Sequence, residues 1–262
     1  MDRQFEDVAV TVLPDHVAEV ELRRPPNNFF DVALICAIAD AFEWLDERDE
    51  CRAIVLCAEG KHFCAGANFT DGSRETSEDR DPDAPHPLYS QAVRLFGTRK
   101  PVVAAVQGAA IGGGFGLAMA ADFRTGSAAS RFAANFVKLG FSPGFGLTHT
   151  LPRVVGQQAA QQLCFTGRRI DGVEAARLGV IDDLVEPGEE RAEARYLAKQ
   201  IAENAPLAVE SVRASLRGDL LAAVRQATEH EAREQFRLQQ TDDHREGIRA
   251  VAERRAGRFT RR

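Results

Sequence analysis

The sequence predicts an α/β fold that turns wholly helical towards its C-terminal end. Two short apolar runs, Ala53-Ile54-Val55-Leu56-Cys57 and Val102-Val103-Ala104-Ala105-Val106, show no polar alternation, the pattern of strands buried on both faces. Glycine-containing turns follow both runs, with helical segments between them. After Pro187 strand-like runs cease, and amphipathic segments rich in Glu, Arg and Ala continue to Phe259. A chain of 262 residues suits one large core with a helical extension, here divided into a core at 1–187 and a helical region at 188–262.

The elements follow in order. Val8, Val10 and Val12 alternate with Ala9 and Thr11, and beyond Leu13-Pro14-Asp15-His16 the residues Ala18, Val20 and Leu22 stand opposite Glu19 and Glu21. That pattern predicts a hairpin with one wet face. Asp31 is placed to cap a helix whose Leu34, Ile38, Phe42 and Leu45 share one face. Residues 70–87 are largely Asp, Glu, Ser, Arg and Pro, and predict a mobile surface loop. Residues 101–121 carry no charge and match a membrane span in length, but their glycines, Gln107 and Pro101 fit a buried strand, a glycine turn and a buried helix. Pro206 marks a helix start.

Composition narrows the function. The 33 Lys+Arg against 39 Asp+Glu give a formal net charge of -6, which argues against a broad nucleic-acid surface. The five cysteines, Cys36, Cys51, Cys57, Cys64 and Cys164, are irregularly spaced and mostly within apolar runs, indicating reduced thiols rather than a disulfide framework or a zinc site. The acidic N-terminal segment lacks the apolar run of a signal peptide, so a cytoplasmic protein with no membrane partner is expected.

The chemistry gathers at the two glycine turns, Lys61-His62-Phe63-Cys64-Ala65-Gly66-Ala67-Asn68-Phe69 and Gly108-Ala109-Ala110-Ile111-Gly112-Gly113-Gly114-Phe115-Gly116. Small residues at strand-to-helix turns let backbone N–H groups approach a ligand. Two such turns on neighbouring strands can aim two donors at one oxygen, as an enolate or tetrahedral oxyanion requires. The dinucleotide fingerprint and the phosphate loop fit less well: Leu117 stands where the former needs its last glycine, and the Gly-Lys-Ser/Thr of the latter is missing.

With Arg24-Pro25-Pro26-Asn27-Asn28, Lys100-Pro101, Gln107-Gly108, Pro143-Gly144-Phe145-Gly146-Leu147-Thr148, Thr166-Gly167-Arg168-Arg169-Ile170, Glu174-Ala175-Ala176-Arg177-Leu178-Gly179 and Arg245-Glu246-Gly247 in this order, the chain resembles the crotonase (enoyl-CoA hydratase/isomerase) superfamily along nearly its whole length. The resemblance implies a spiral of ββα units with a C-terminal helical trimerisation region, assembling as a homotrimer or a dimer of trimers. It implies an acyl-CoA substrate in which coenzyme A is part of the thioester, with no separate cofactor and no metal. The oxyanion N–H groups would fall at Ala65 and Gly113, and the substrate would lie along Phe29, Phe30, Ala67, Asn68, Phe69, Gly112, Gly116, Phe136 and Leu139.

The pattern breaks at two places. Hydratases of the family use two glutamates, and the matching positions here are Gly116 and Phe136, neither of which can move a proton. Isomerases retain the second carboxylate, so Phe136 argues against their reaction too. Ser142 matches the place of a nucleophilic aspartate in dehalogenating relatives, and His149 offers an acid/base; loop capping and structural hydrogen bonding are the alternatives for each. His62, two positions before Cys64, is expected to point away from the pocket, and Cys64 to be small apolar filler. The resulting expectation is an acyl-CoA enzyme of the lyase or isomerase class, in fatty acid metabolism by its family, that runs a non-hydratase reaction such as decarboxylation. A noncatalytic acyl-CoA-binding protein and a hydratase with substitute acid/base groups are the alternatives.

Overall fold

The computed structural model describes residues 2–68 and 84–262. A short edge strand, β1 (Asp2–Phe5), pairs with β2 (Val8–Val12), which pairs antiparallel with β3 (Val17–Leu22) as the alternating valines predict. Asp31 accepts the Leu34 N–H at 2.8 Å and starts α1 (Val32–Asp46), whose Leu34, Ile38, Phe42 and Leu45 are buried. The apolar runs become β4 (Ala53–Ala58) and β5 (Val102–Val106), buried throughout, with α2 (Pro87–Leu95) between them. Most of the loop expected at 70–87 lies outside the described residues; its last position, Pro87, is the first residue of α2.

Beyond β5 come β6 (Ala109–Ile111), α3 (Gly113–Ala120), β7 (Phe123–Ser127), β8 (Arg131–Ala133) and a 3-10 turn at Asn135–Leu139. Then follow α4 (Leu147–Val155), α5 (Gln157–Thr166), β9 (Arg169–Asp171), α6 (Gly172–Arg177) and β10 (Asp183–Val185). The chain ends in α7 (Glu190–Ala202), α8 (Pro206–Arg217), α9 (Leu220–Gln239) and α10 (Asp242–Ala252). The strands form a seven-stranded sheet, β1-β2-β3-β4-β5-β7-β10, and a three-stranded sheet, β6-β8-β9. The pairs β5/β6, β7/β8 and β9/β10 each give one strand to either sheet, which is the spiral of ββ turns expected. Parallel bridges Phe30↔Ala67 and Cys64↔Ala110 extend the small sheet towards the first glycine turn. The uncharged stretch at 101–121 is thus β5, β6 and the eight-residue α3, and no helix among the described residues is long and apolar enough to cross a membrane.

The hairpin's expected wet face is a correction. Glu19 is 4% exposed because α7 lies across the sheet, pairing Arg191 and Arg195 with it. Beside those ion pairs Ala194, Ala198 and Ala202 pack on Val17, Val55, Cys57 and Val103, so α7 closes the face opposite α1. Alanines let the helix backbone approach the strands, and the arginines neutralise the Glu19 carboxylate caught beneath it. The helical region also reaches the core elsewhere: α9 packs on α2 and α4, and α10 on the 3-10 turn.

Candidate active site

The two glycine turns meet beyond β4 and β5 and are laced by main-chain hydrogen bonds. Phe63 N–H donates to the Gln107 carbonyl (2.8 Å), Cys64 N–H to Ala109 (2.9 Å) and Ile111 N–H to Cys64 (3.0 Å). Such lacing excludes side chains. A Cβ on Gly114 would collide with the Cys64 carbonyl oxygen, and one on Gly66, at φ +94°, would lie 2.8 Å from that of Ile111.

Which N–H groups remain for a ligand follows from the same bonds. Gly112 N–H donates to Ala133 (2.8 Å), whereas the Gly113 N–H, first in α3, has no backbone acceptor among the described residues. In the other turn Ala65 N–H donates to the Asn27 carbonyl at 2.9 Å, so Ala65 is not an available donor. The Ala67 N–H, two residues on and beside the bridge to Phe30, is without an acceptor among the described residues. Ala67, expected as a substrate contact, therefore offers a main-chain donor that Ala65 does not. Both Ala67 and Gly113 line a cavity of about 910 Å³.

That cavity has two characters. Lys61, Arg131 and Arg169 enter its wall with His62, whose Nδ1 accepts the Ala109 N–H at 3.1 Å. Burial, reinforced by the charges of Lys61 and Arg169, lowers the His62 pKa, so the ring is neutral at neutral pH. His62 thus faces the cavity rather than away from it, fixed by a main-chain donor the sequence could not reveal. Phenylalanines supply the other character: Phe29, Phe30, Phe136, Phe141 and Phe145 line the cavity with Leu139, Ile248 and Val251. Phe136 meets Phe141 edge-on at 5.7 Å, and Phe30 lies 5.8 Å from Phe145.

Gly116 does not itself reach the cavity. A Cβ there would sit 2.6 Å from the Phe145 Cβ and 2.9 Å from its ring, so Phe145 fills the space a side chain at 116 would use. Phe145 adopts φ 63°, and its ring continues the aromatic wall past Gly113. The carboxylate of Glu231 on α9 holds this segment, accepting the Gly146 N–H (2.7 Å), the Thr148 N–H (3.0 Å) and the Thr148 hydroxyl (2.6 Å). No local pattern marks Phe145, Phe141 or the α9 and α10 residues for the site, because their approach depends on long-range packing.

The two acid/base candidates are elsewhere. Ser142 lines a separate, mostly apolar groove with Val137, Leu147 and Phe165, and His149 lines neither that groove nor the main cavity. Of the 140–148 segment, Phe141, Gly144 and Phe145 line the cavity, whereas Ser142 does not. Phe29, Phe30, Ala67, Asn68, Gly112, Phe136 and Leu139 all line the cavity, while Phe69 lies outside the described residues. Cys64 is fully buried, and burial pushes its thiol up to about 12, consistent with filler rather than a nucleophile. Among the described residues no cluster of three or more His, Cys, Asp or Glu side chains could hold a metal ion.

The geometry is matched by similarity to known proteins. The family model for enoyl-CoA hydratase/isomerase fits residues 13–262. The short-chain-enoyl-CoA hydratase of Clostridium acetobutylicum is 34% identical over 248 residues, covering 91% of this chain and 92% of its own. The carnitinyl-CoA dehydratase of Salmonella arizonae is 35% identical over 200 residues, 75% of either chain. A crystal structure of an enoyl-CoA hydratase/isomerase from Pseudoalteromonas atlantica matches with a TM-score of 0.86 at 27% identity, covering 97% of this chain and 100% of that one. The chain belongs to the enoyl-CoA hydratase/isomerase family.

Proposed function

We propose that this protein acts on an acyl-CoA thioester, polarising its carbonyl with the N–H groups of Ala67 and Gly113, in a reaction other than carboxylate-driven hydration. The observation that carries this reading is the wall itself. Phe136, at one of the two positions the resemblance matches to a hydratase glutamate, lines the cavity, and Phe145 fills the space beside the other, Gly116; neither ring accepts a proton. Among the described residues, Glu190 is the one carboxylate in the cavity lining, and its Oε2 accepts the Gly188 N–H at 2.9 Å.

Decarboxylation of a thioester bearing a carboxylate on Cα suits these surroundings. The bond from Cα to the carboxylate carbon breaks, CO2 leaves, and the electron pair moves through Cα onto the thioester oxygen. The two N–H groups stabilise that enolate, each worth about 3–4 kcal/mol at the transition state. A solvent proton then adds to Cα, so no side chain needs to abstract one. Phenyl rings beside the departing carboxylate disfavour its charge relative to the neutral CO2. Lys61, Arg131 and Arg169 give the phosphates of coenzyme A complementary charge.

The test is to incubate the protein with malonyl-CoA, methylmalonyl-CoA and crotonyl-CoA and resolve the products by mass spectrometry. Loss of CO2 from a carboxylated thioester with crotonyl-CoA unchanged is the expected result; rapid hydration of crotonyl-CoA overturns it. We extend the proposal to self-association, supported by Leu207, Val212 and Leu216 on α8, which are 79%, 58% and 77% exposed. Sedimentation at a trimer or hexamer mass is expected.

A further inference from the structure

Beside the donor turn stands a side chain that is polar, neutral and uncommitted. Asn135 opens the 3-10 turn that carries Phe136, and both residues line the cavity. A Cβ on Gly112 would find Asn135 Oδ1 at 3.4 Å and the Phe136 ring at 3.8 Å, so the amide and the ring flank the residue that precedes the Gly113 donor. The Asn135 side chain is partly exposed and has no hydrogen-bond partner among the described residues. Two other amides of the lining are already in use: Gln107 Nε2 donates to the Ala58 carbonyl at 2.7 Å and Gln235 Nε2 to the Ser142 carbonyl at 2.9 Å. With no bond to fix it, the Asn135 amide can turn its two N–H groups towards a ligand.

A neutral donor at this place suits the proposed reaction better than a cation would. The carboxylate on Cα has to be held while its bond to Cα exists and then released as uncharged CO2. An ammonium or guanidinium beside it would favour the ground state over the transition state, because the charge it pairs with is the one that disappears. An amide N–H gives a directional hydrogen bond without a full opposite charge. Lys61 and Arg169 both act on His62, whereas the nearest neighbours of Gly112 are the uncharged Asn135 amide and Phe136 ring. With the thioester oxygen on the Gly113 N–H, the carboxylate on Cα is only a few bonds from that donor, and the Asn135 amide is the polar group next to it.

We propose that Asn135 is a specificity-determining residue whose side-chain N–H groups hold the departing carboxylate of the substrate, a proposal that rests on the decarboxylation reading of the cavity. The bond from Cα to the carboxylate carbon breaks with CO2 leaving the amide, the electron pair passes into the enolate, and solvent returns a proton to Cα. The assay follows CO2 release from malonyl-CoA and methylmalonyl-CoA by the wild type, Asn135→Leu and Asn135→Asp, with the products acetyl-CoA and propanoyl-CoA as inhibitors. Both variants are expected to fold, since the amide bonds no other residue and Asp keeps its shape. They are expected to lose about tenfold to a hundredfold in kcat/KM, the scale of one hydrogen bond to a charged group, with Asp the worse because it repels the carboxylate. Inhibition by the product, which has no carboxylate, is expected to stay within about twofold of the wild type. A kcat/KM within about twofold of the wild type in both variants, or product inhibition that weakens in step with it, overturns the proposal and leaves decarboxylation standing. A wild type that releases CO2 from neither thioester overturns the decarboxylation reading and the proposal with it.

Discussion

The laced glycine turns and the aromatic wall face one cavity but are built in opposite ways. In the turns the ligand-facing groups are main-chain N–H donors, held by bonds such as Cys64 to Ala109 and Ile111 to Cys64 that also join the first turn to the small sheet. In the wall they are side chains, and one substitution is accommodated by another: Phe145 occupies what Gly116 vacates. The turns cannot change without breaking the fold, whereas the wall can be rebuilt around the same donors. On the proposed acyl-CoA reading, a fold of this kind constrains how an oxyanion is held far more than it constrains which proton is moved.

The contrast breaks most visibly at Gly114. A methyl group there meets the Cys64 carbonyl oxygen, a backbone atom fixed by the sheet and unable to give. Gly114→Ala is expected to cost about 4 kcal/mol or more, or to prevent folding, as read by urea denaturation. A loss below about 1 kcal/mol would mean that the two turns are not rigidly coupled.

Next in size is removal of one donor. Ala67→Pro deletes a single N–H, and a bound β-ketothioester reports the result because its enolate absorbs in the ultraviolet. The wild type is expected to raise the enolate fraction of acetoacetyl-CoA, and the variant to lower the enolisation constant by about 10²–10³, the loss typical of one oxyanion donor. Ala65 provides the internal check, since its N–H is bonded to Asn27. If the enolate signal of Ala67→Pro equals that of the wild type, the donor assignment is wrong.

That assignment also shows where the sequence was legible. Periodicity located β2, β3, β4, β5 and α1, the cap at Asp31, and both glycine turns, because each is decided by neighbours in the chain. Selecting Ala67 over Ala65 required knowing that the Asn27 carbonyl folds back onto Ala65, a contact that no local pattern encodes. Ser142 and His149 fall outside the lining of the main cavity for a related reason: motif order gives their place in the chain, but not their place relative to the cavity. Tyr89 and Gln235, 146 residues apart, meet only because α9 packs across α2.

The wall invites a milder test, a double-mutant cycle on stability. Gly116→Glu is expected to cost about 1–3 kcal/mol from overpacking against Phe145, in addition to burying a carboxylate. Phe145→Ala alone leaves a cavity and costs about 3–5 kcal/mol. The double variant is expected to lose about 1–3 kcal/mol less than the sum of the singles, since each change relieves the other. Strict additivity would show that Phe145 does not fill the space beside position 116.

The smallest expected effect lies outside both regions, at Glu19, and it separates loss of stability from loss of the donors. Burial by itself raises the Glu19 pKa, but hydrogen bonds and charge from Arg195 and Arg191 outweigh it and bring the carboxyl from 4.5 to about 2. A depressed folded pKa contributes stability that is present above pH 4.5 and lost as pH falls towards 2, since protonation then breaks the pairs that α7 makes across the sheet. With Arg191 and Arg195 still 36% and 46% exposed, solvent screening limits the effect of Glu19→Gln at neutral pH to about 1 kcal/mol. Stability measured from pH 7 down to 2 is expected to fall less steeply for Glu19→Gln than for the wild type between 4.5 and 2. The enolate signal of bound acetoacetyl-CoA in the folded variant should match the wild type, because neither Glu19 nor its partners Arg191 and Arg195 line the cavity. A fall in that signal would mean that the donor geometry depends on general stability, and the separation between rigid turns and replaceable wall would fail.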